Sequence, residues 1–421
     1  MQVYLVGGAV RDALLGLPVK ERDWVVVGGT RQALLDLNYR EVGRDFPVFL
    51  HPDTKEEYAL ARLERKVAPG YRGFDVAFGP DVTLEEDLAR RDLTINAMAR
   101  AADGSLVDPF GGRRDLDSRT LRHVSEAFVE DPVRVLRVAR FAARFAPLGF
   151  SVAPETLELM RTLVSRREVD ALVPERVWQE SEKALREPAA SVFFRVLRDC
   201  GALKAVYPEI DALFGVPQPA EWHPEIDTGI HTLMVLDQAA ALSGDTAVRF
   251  AALVHDLGKG STPRSEWPGH RGHEERSVAL IETMCSRLRP PAEHRELALL
   301  VARYHGIVHR AFELKPKTLL DFMERADAFR RPERFAQVLL ACEADARGRT
   351  GMEHLPYPQR GHVSAARDAA AAVKPTEEDL ALQDGAQIGE RLHQRRLRAI
   401  AALSTRPALG GPGGPPPQRG P

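Results

Sequence analysis

Glu21 and Asp23 stand two residues apart at the mouth of an apolar run, Asp23-Trp24-Val25-Val26-Val27. Positions two apart in a strand point to one face. Two carboxylates there repel unless a cation lies between them, and oxygen-ligated Mg²⁺ is the usual answer. Two-metal phosphoryl transfer needs that arrangement, one ion activating a hydroxyl and the other holding the triphosphate. An acid-x-acid pair by itself is commonly just solvated. Upstream, Gly7-Gly8-Ala9-Val10-Arg11-Asp12 follows a short apolar run and opens a helical pattern. Paired glycines at such a turn bring backbone N–H groups to a phosphate, although a strand-to-helix turn also uses glycine for its dihedrals alone. Acid pair, glycine turn and arginine together favour phosphate chemistry over either bland reading.

Arginines extend the pattern. Arg90-Arg91-Asp92-Leu93-Thr94-Ile95-Asn96 offers adjacent guanidiniums for a triphosphate, with Asp92 or Asn96 available for a ribose hydroxyl or to fix an arginine. In Glu130-Asp131-Pro132-Val133-Arg134, Pro132 reads as the first helical residue and Asp131 as the N-cap. Arg134, Arg137 and Arg140 then recur along one side while Leu136, Phe141 and Phe145 face a core. A solvated arginine stripe accounts for the spacing, yet no acid lies between Arg134 and Arg144 to give i+4 partners.

The elements that must position these groups are legible in outline. Val3 to Val6, Asp23 to Val27, Val48 to His51 and Tyr58 to Leu63 read as short strands, and Val10 to Leu17 as a helix. Asp108-Pro109-Phe110-Gly111-Gly112 reads as a turn or hinge. Strand signals almost vanish after Leu116. Val133 to Phe145, Pro154 to Val164, Glu175 to Leu185 and Ser191 to Cys200 carry helical spacing instead. The expected fold is α+β: a small mixed α/β head (1–115), an all-helical neck and body (116–216), an all-helical, histidine-rich domain (217–350) and a helical C-terminal region (351–404). The Pro- and Gly-rich end, 405–421, is expected to be a disordered tail.

Gly7-Gly8-x-x-Arg11-Asp12, Glu21-x-Asp23, Arg90-Arg91-Asp92, Asp108-Pro-Phe-Gly111-Gly112, Glu130-Asp131-x-x-Arg134 and Glu175-Arg176-x-x-x-Glu180 occur in that order. Together they resemble the class II tRNA nucleotidyltransferases, the CCA-adding enzymes of the polymerase-β superfamily. The resemblance implies that Gly8 and Arg11 contact incoming ATP or CTP, that Glu21 and Asp23 hold Mg²⁺, and that Arg91, Arg137 and Arg140 bind the nucleotide. It also implies an amino-acid template at Asp131 and Arg134, and tRNA as the partner. The chemistry agrees: cytosine and adenine both offer an amino donor beside a ring-nitrogen acceptor, which suits a carboxylate beside a guanidinium. One departure is Glu21, where the family usually has aspartate. Glu57, on a neighbouring expected strand, is a weak candidate for the superfamily's third carboxylate.

His231, His255-Asp256 and Gly258-Lys259-Gly260 resemble the HD phosphohydrolase superfamily. A lone HD dipeptide carries little information. The upstream His231, downstream His270, His273 and His305, and Asp345 give it weight. In that reading His231, His255, Asp256 and a distant aspartate hold a metal that activates water against a phosphate ester. Asp345 is the better match for the last ligand and Asp327 the alternative. Trp222-His223-Pro224-Glu225-Ile226-Asp227, ahead of the block, is similar to the bacterial multifunctional branch of the family. That resemblance implies 2′,3′-cyclic phosphodiesterase, 2′-nucleotidase and phosphatase activities favouring Ni²⁺ or another divalent transition metal.

Composition bounds the remaining classes. The 421 residues suggest two to four domains at about 150 each. With 44% hydrophobic and 28% charged residues, the chain is neither wholly disordered nor fibrous. It lacks a run of the roughly 20 apolar residues needed to span a bilayer, and no secretory signal is expected at its start. Three scattered cysteines form neither a disulfide framework nor a CxxC site, so a cytoplasmic protein, monomeric or homodimeric, is expected. The net charge of −2 argues against a generally basic nucleic-acid binder, yet Arg391 to Arg398 carries four arginines. Two competing readings are a poly(A) polymerase-like enzyme with an inactive HD domain and a non-catalytic RNA-binding module. The first would be expected to carry a basic C-terminal extension, and the second gives no reason for the acid pair.

Overall fold

The computed structural model describes residues 1–42, 47–66, 74–382 and 384–403; the expected tail at 405–421 lies outside them. The strands of the head are β1 (Gln2–Val6), β2 (Asp23–Val27), β3 (Arg40–Val42), β4 (Val48–Leu50), β5 (Glu57–Leu60), β6 (Arg62–Lys66), β7 (Phe74–Phe78), β8 (Ala99–Arg100) and β9 (Leu106–Val107). Seven form one sheet in the order β3-β4-β5-β2-β1-β8-β9, and β6 pairs with β7. The continuous valine run of β2 follows from burial on both faces. Val25 packs with Val6, Ala61, Leu88 and Ala97, while Val26 packs with Leu34, Phe49, Tyr58 and Leu60. Helices Arg31–Asp36 and Leu84–Ala89 contribute Leu34 and Leu88, one to each cluster.

Two local expectations change. Tyr58 to Leu63 is not one strand: Ala61 N still donates to Val26 O at 2.9 Å, but Arg62 N turns to Asp87 Oδ1 at 3.3 Å and starts the β6–β7 pair. A buried carboxylate thus ends the ladder. The Asp108–Gly112 turn is not a free hinge, because Asp108 Oδ1 accepts from Gly112 N at 2.7 Å and Oδ2 from Arg113 N at 2.9 Å. It caps helix Gly112–Asp117.

Helix Val133–Phe145 is buried along most of its length and packs on helices Pro174–Leu185 and Ser191–Asp199. It starts one residue later than expected, after Pro132, yet Asp131 Oδ1 still accepts from Val133 N at 3.0 Å. These elements belong to a compact unit of Met1–Val216 with Thr283–Pro290.

The second unit, Pro217–Glu282 and Pro291 onward, is helical among its described residues. Thr228–Leu242, Thr246–Val254, Ala292–His309 and Pro332–Arg347 pack on one another, and Pro358–Ala372 packs on Gly385–Ala401. The fold is therefore α+β, a mixed head followed by a helical body and a helical HD domain. No described helix is long and apolar enough to cross a membrane.

Candidate functional site

In the head, the antiparallel β1–β2 pair sets Val6 opposite Asp23, so the glycine turn leaves β1 beside the acidic mouth of β2. Gly7 has φ +67°, and a Cβ there would lie 2.6 Å from Arg91 Nη1. Only glycine lets that guanidinium come so close. The parallel β2–β5 pairing sets Asp23 opposite Glu57, which sequence spacing could only suggest. Glu21 precedes β2 rather than sharing its pleat, so strand alternation does not orient it. Glu21, Asp23, Glu56 and Glu57 line one open cavity of about 520 Å³ with Lys20, Arg22 and Lys55. The side chain of Asp23 is exposed, yet the protein mass around the strand mouth removes part of its water. That desolvation raises its pKa; the charge of Arg91 opposes the rise and that of Glu21 adds to it.

The arginines are not unpartnered. Arg137 Nη2 lies 2.7 Å from Asp92 Oδ2, Arg144 Nη2 lies 2.9 Å from Asp12 Oδ2, and Arg140 Nε pairs with the buried Glu180 at 2.5 Å. Arg134 donates to Ala127 O at 2.8 Å and to Arg90 O. Arg91 reaches Asp87 at 3.4 Å and Asn96 O at 3.4 Å. The missing i+4 acids are replaced by carboxylates from other elements. Asp92 links the set: Oδ1 accepts from Asn96 Nδ2 at 2.9 Å, Asn96 Oδ1 accepts from Arg11, and Oδ2 holds Arg137. Burial would raise the Asp92 pKa, but Arg137 and Asn96 hold it well below the usual carboxylate range. Arg11 is itself buried, salt-bridged to Asp12 at 2.8 Å and stacked over Phe141 and Phe145 at 5.2 and 5.1 Å. Asp131 Oδ2 lies 3.4 Å from Arg176. Gly8, Arg11, Asp23 and Arg91 are thus gathered by the turn and the sheet, while Asp131, Arg134, Arg137 and Arg140 share the neck helix or its cap. Asp12, Asp92 and Glu180 orient that row; each occurs in a quoted motif, but spacing alone does not reveal which arginine it holds.

In the second unit, the HD turn follows helix Thr246–Val254. A Cβ on Gly258 would lie 2.1 Å from His273 O, so glycine allows this turn to meet the start of helix His273–Leu288. His231 Nε2 lies 3.1 Å from Asp345 Oδ1, and His255 Nε2 lies 3.2 Å from Asp256 Oδ2 and 3.6 Å from Asp345 Oδ2. All four are buried. The Nδ1 of His255 lies 2.8 Å from Ala252 O, and that of His231 lies 3.1 Å from Gly348 O. A carbonyl can only accept, so Nδ1 carries the proton and Nε2 turns inward as a donor of electrons. His255 Nε2 and Asp256 Oδ1 are buried without a hydrogen-bond partner. Such atoms are costly unless something else ligates them, and imidazole with carboxylate suits a divalent transition metal. Without a metal, burial would lower the His255 pKa, but Asp256 and Asp345 override it and raise it to about 10. His305, by contrast, is pushed down to about 3 by burial.

Asp345 joins this cluster; Asp327 instead sits in a turn against Arg330 at 2.6 Å. His270 does not join, being held by Thr262 at 3.0 Å and Pro217 O at 2.8 Å. Two members escaped sequence reading. Glu225 Oε1 lies 2.9 Å from His231 Nδ1, and His309 Nε2 lies 2.6 Å from Asp345 Oδ2 with Nδ1 2.8 Å from the Tyr357 hydroxyl. The His305/His309 spacing of four on one helix was the available signal for the latter.

Family models match in three stretches: the poly A polymerase head domain over residues 3–122, a probable RNA- and SrmB-binding site of polymerase A over 149–214, and the HD domain over 228–345. A multifunctional CCA protein of Thioalkalivibrio sulfidiphilus is 65% identical over 405 residues, covering 96% of this chain and 98% of the relative. A protein of the same name from Nitrosococcus oceani is 64% identical over 400 residues, covering 95% and 98%. Among solved structures, a CCA-adding enzyme in complex with ATP superposes with a TM-score of 0.64 at 21% identity, covering 95% of this chain and 86% of that one. At that identity the likeness speaks for the fold.

Proposed function

The chain belongs to the family of multifunctional CCA proteins, and from that premise we propose that it adds and repairs the 3′-terminal CCA of tRNA from CTP and ATP without a nucleic-acid template. The observation that carries this reading is the register of Asp23 against Glu57, with Arg91 seated on the glycine turn beside them. Glu21 and Asp23, with Glu57 as a third acid, fit Mg²⁺: they are hard oxygen donors lining one open cavity, where partial desolvation raises the Asp23 pKa and the charge of Glu21 adds to the rise. When bound, Mg²⁺ supplies Lewis acidity to the tRNA 3′-hydroxyl and charge neutralisation to the triphosphate.

The chain's own residues do the rest. Gly8 N–H and the Arg11, Arg91, Arg137 and Arg140 guanidiniums bind and orient the triphosphate and sugar. Asp131 accepts from the exocyclic amino group of cytosine or adenine, and Arg134 donates to the adjacent ring nitrogen. Uracil and guanine reverse both partners, leaving buried polar groups unpaired at about 1–3 kcal/mol each. The fixed pose of Arg134 on two backbone carbonyls and of Asp131 beside Arg176 supports a rigid template.

The second centre fits a divalent transition metal at His231, His255, Asp256 and Asp345, Ni²⁺ among the candidates, because two of its buried ligand atoms are otherwise unpaired. When bound, such an ion would supply the Lewis acidity that readies a water for attack on a phosphate ester. The proposed activities are 2′,3′-cyclic phosphodiesterase, 2′-nucleotidase and phosphatase. A hydrolase on the same chain would clear a phosphate from the 3′ end that the head must extend.

Incubating tRNA that lacks its terminal triplet with each labelled nucleotide, with and without Mg²⁺, tests the first activity. Two C and one A are expected, with UTP and GTP rejected. A run of A alone would favour the poly(A) polymerase reading, and no Mg²⁺-dependent turnover would favour a binding module.

A further inference from the structure

We propose that Arg349 is the phosphate anchor of the second centre, donating from its guanidinium to the non-bridging oxygens of a phosphate ester held beside His231, His255, Asp256 and Asp345. This rests on the reading of that cluster as a hydrolase of phosphate esters and adds a substrate contact to it.

Arg349 sits just past helix Pro332–Arg347, in a turn that is tied to the cluster on both sides. Before it, Gly348 O lies 3.1 Å from His231 Nδ1; after it, Thr350 N donates to Glu225 Oε2 at 3.3 Å. A Cβ on Gly348 would lie 2.5 Å from Val235 Cγ2, so glycine lets this turn lie flat on helix Thr228–Leu242. The backbone that carries Arg349 is thereby fixed. Its charge reaches two side chains at the edge of the cluster. Burial pushes the His223 pKa down to about 4, and Arg349 adds to that fall. Burial holds the Tyr357 hydroxyl far above its ordinary range, and Arg349 opposes that rise. Coulomb effects weaken with distance, so the guanidinium lies near both rings. His223 meets the cluster through Glu225 and His231, and Tyr357 meets it through His309 and Asp345.

Neighbouring cations are already spent. Lys259 Nζ lies 2.6 Å from Asp256 Oδ2 and 2.6 Å from Gln218 Oε1, and Arg347 Nη2 lies 2.6 Å from Glu343 Oε1. Arg349, by contrast, has no carboxylate and no hydrogen-bond acceptor for its side chain among the described residues. Its Nε is buried and bare, whereas its terminal nitrogens are not buried. Solvent can therefore hold the charge until an anion displaces it, which avoids the cost of a fully buried unpaired cation. Two parallel N–H donors of a guanidinium match two phosphate oxygens. A neutral ester or amide would bring no charge to this seat. A phosphate monoester, with its second negative charge, gains more from it than a cyclic diester does.

The first test needs no variant. The full-length chain, dialysed against Ni²⁺, is treated with phenylglyoxal, which modifies reachable guanidiniums, and its peptides are mapped by mass spectrometry at rising inorganic phosphate. Modification of Arg349 is expected to be suppressed saturably, while that of the exposed Arg330 stays constant. An Arg349 that phosphate does not protect, or that the reagent never modifies, overturns the proposal. In the second test, Arg349→Met should raise KM for a nucleoside 2′-phosphate by about 10- to 100-fold, the worth of a charge-assisted contact. The rise should be smaller for a 2′,3′-cyclic phosphate, kcat should change far less, and Arg349→Lys should recover part of the loss, with circular dichroism checking that each variant folds. A loss confined to kcat and equal for both esters would make Arg349 structural and overturn the assignment. Protection by phosphate in a chain that hydrolyses nothing would sustain the anchor and sink the hydrolase reading, whereas hydrolysis with Arg349 unprotected would do the reverse.

Discussion

The two centres solve the problem of concentrated charge in opposite ways. In the head, Arg11, Arg137, Arg140 and Arg144 each have a carboxylate partner, while the acids at the mouth of β2 line an open groove. In the helical unit, His231, His255, Asp256 and Asp345 are buried, and His255 Nε2 and Asp256 Oδ1 have no hydrogen-bond partner. A site that admits and releases a large anion must keep its cations compensated between turnovers, because an unpaired buried charge costs several kcal/mol. A site that retains an ion can bury bare donors, since the ion itself satisfies them. On the proposed function, the difference separates a transit site from a resident one.

The largest test of this contrast is Asp23→Ala. Nucleotide addition should fall by about 10³-fold or more, the scale of lost Lewis-acid stabilisation, while tRNA affinity in a filter-binding assay stays near the parent value. Equal loss of both would remove the acid pair from metal binding. His255→Ala should abolish phosphatase turnover while CCA addition continues; a parallel collapse would show that the two centres are not separable.

Arg134→Ala should act on choice rather than rate. Discrimination against UTP and GTP, measured as kcat/KM ratios, should narrow by about 10–100-fold, the worth of one bidentate contact. Unchanged selectivity would take Arg134 out of the template. The smallest effect concerns the arginine network. Asp92 has a depressed pKa in the folded chain, so its contribution is full above the unfolded value of about 3.9 and is lost as pH falls through the folded value. Asp92→Asn should therefore lower the Tm at pH 7, and the gap from the parent should shrink below about pH 4. A gap constant with pH would mean that packing, not charge, holds the network.

Much of the fold was legible because it is local. The strand Asp23–Val27 matches its expected limits, and the helix Val133–Phe145 starts within one residue of its expected first position, since side-chain periods of two and 3.6 are written into neighbouring residues. The split at Ala61 was not legible, because a distant residue, Asp87, draws Arg62 N away from the ladder. The arginine row was visible on its helix, but its partners Asp12, Asp92 and Glu180 come from the glycine-turn helix, the loop after helix Leu84–Ala89 and the neck. Spacing within one helix carries no information about them.

The sequence by itself determined the inventory: an acid pair after a glycine turn, an arginine row without local acids, and a histidine block with an HD dipeptide. Only the tertiary structure decided the pairings. It set Glu57 opposite Asp23 through strand register, chose Asp345 over Asp327, and turned His273 and His305 onto the free oxygen of Asp256. The physical reason is that a residue's type and its near neighbours fix what bonds it can make. Which bond forms depends on packing that brings together positions far apart along the chain.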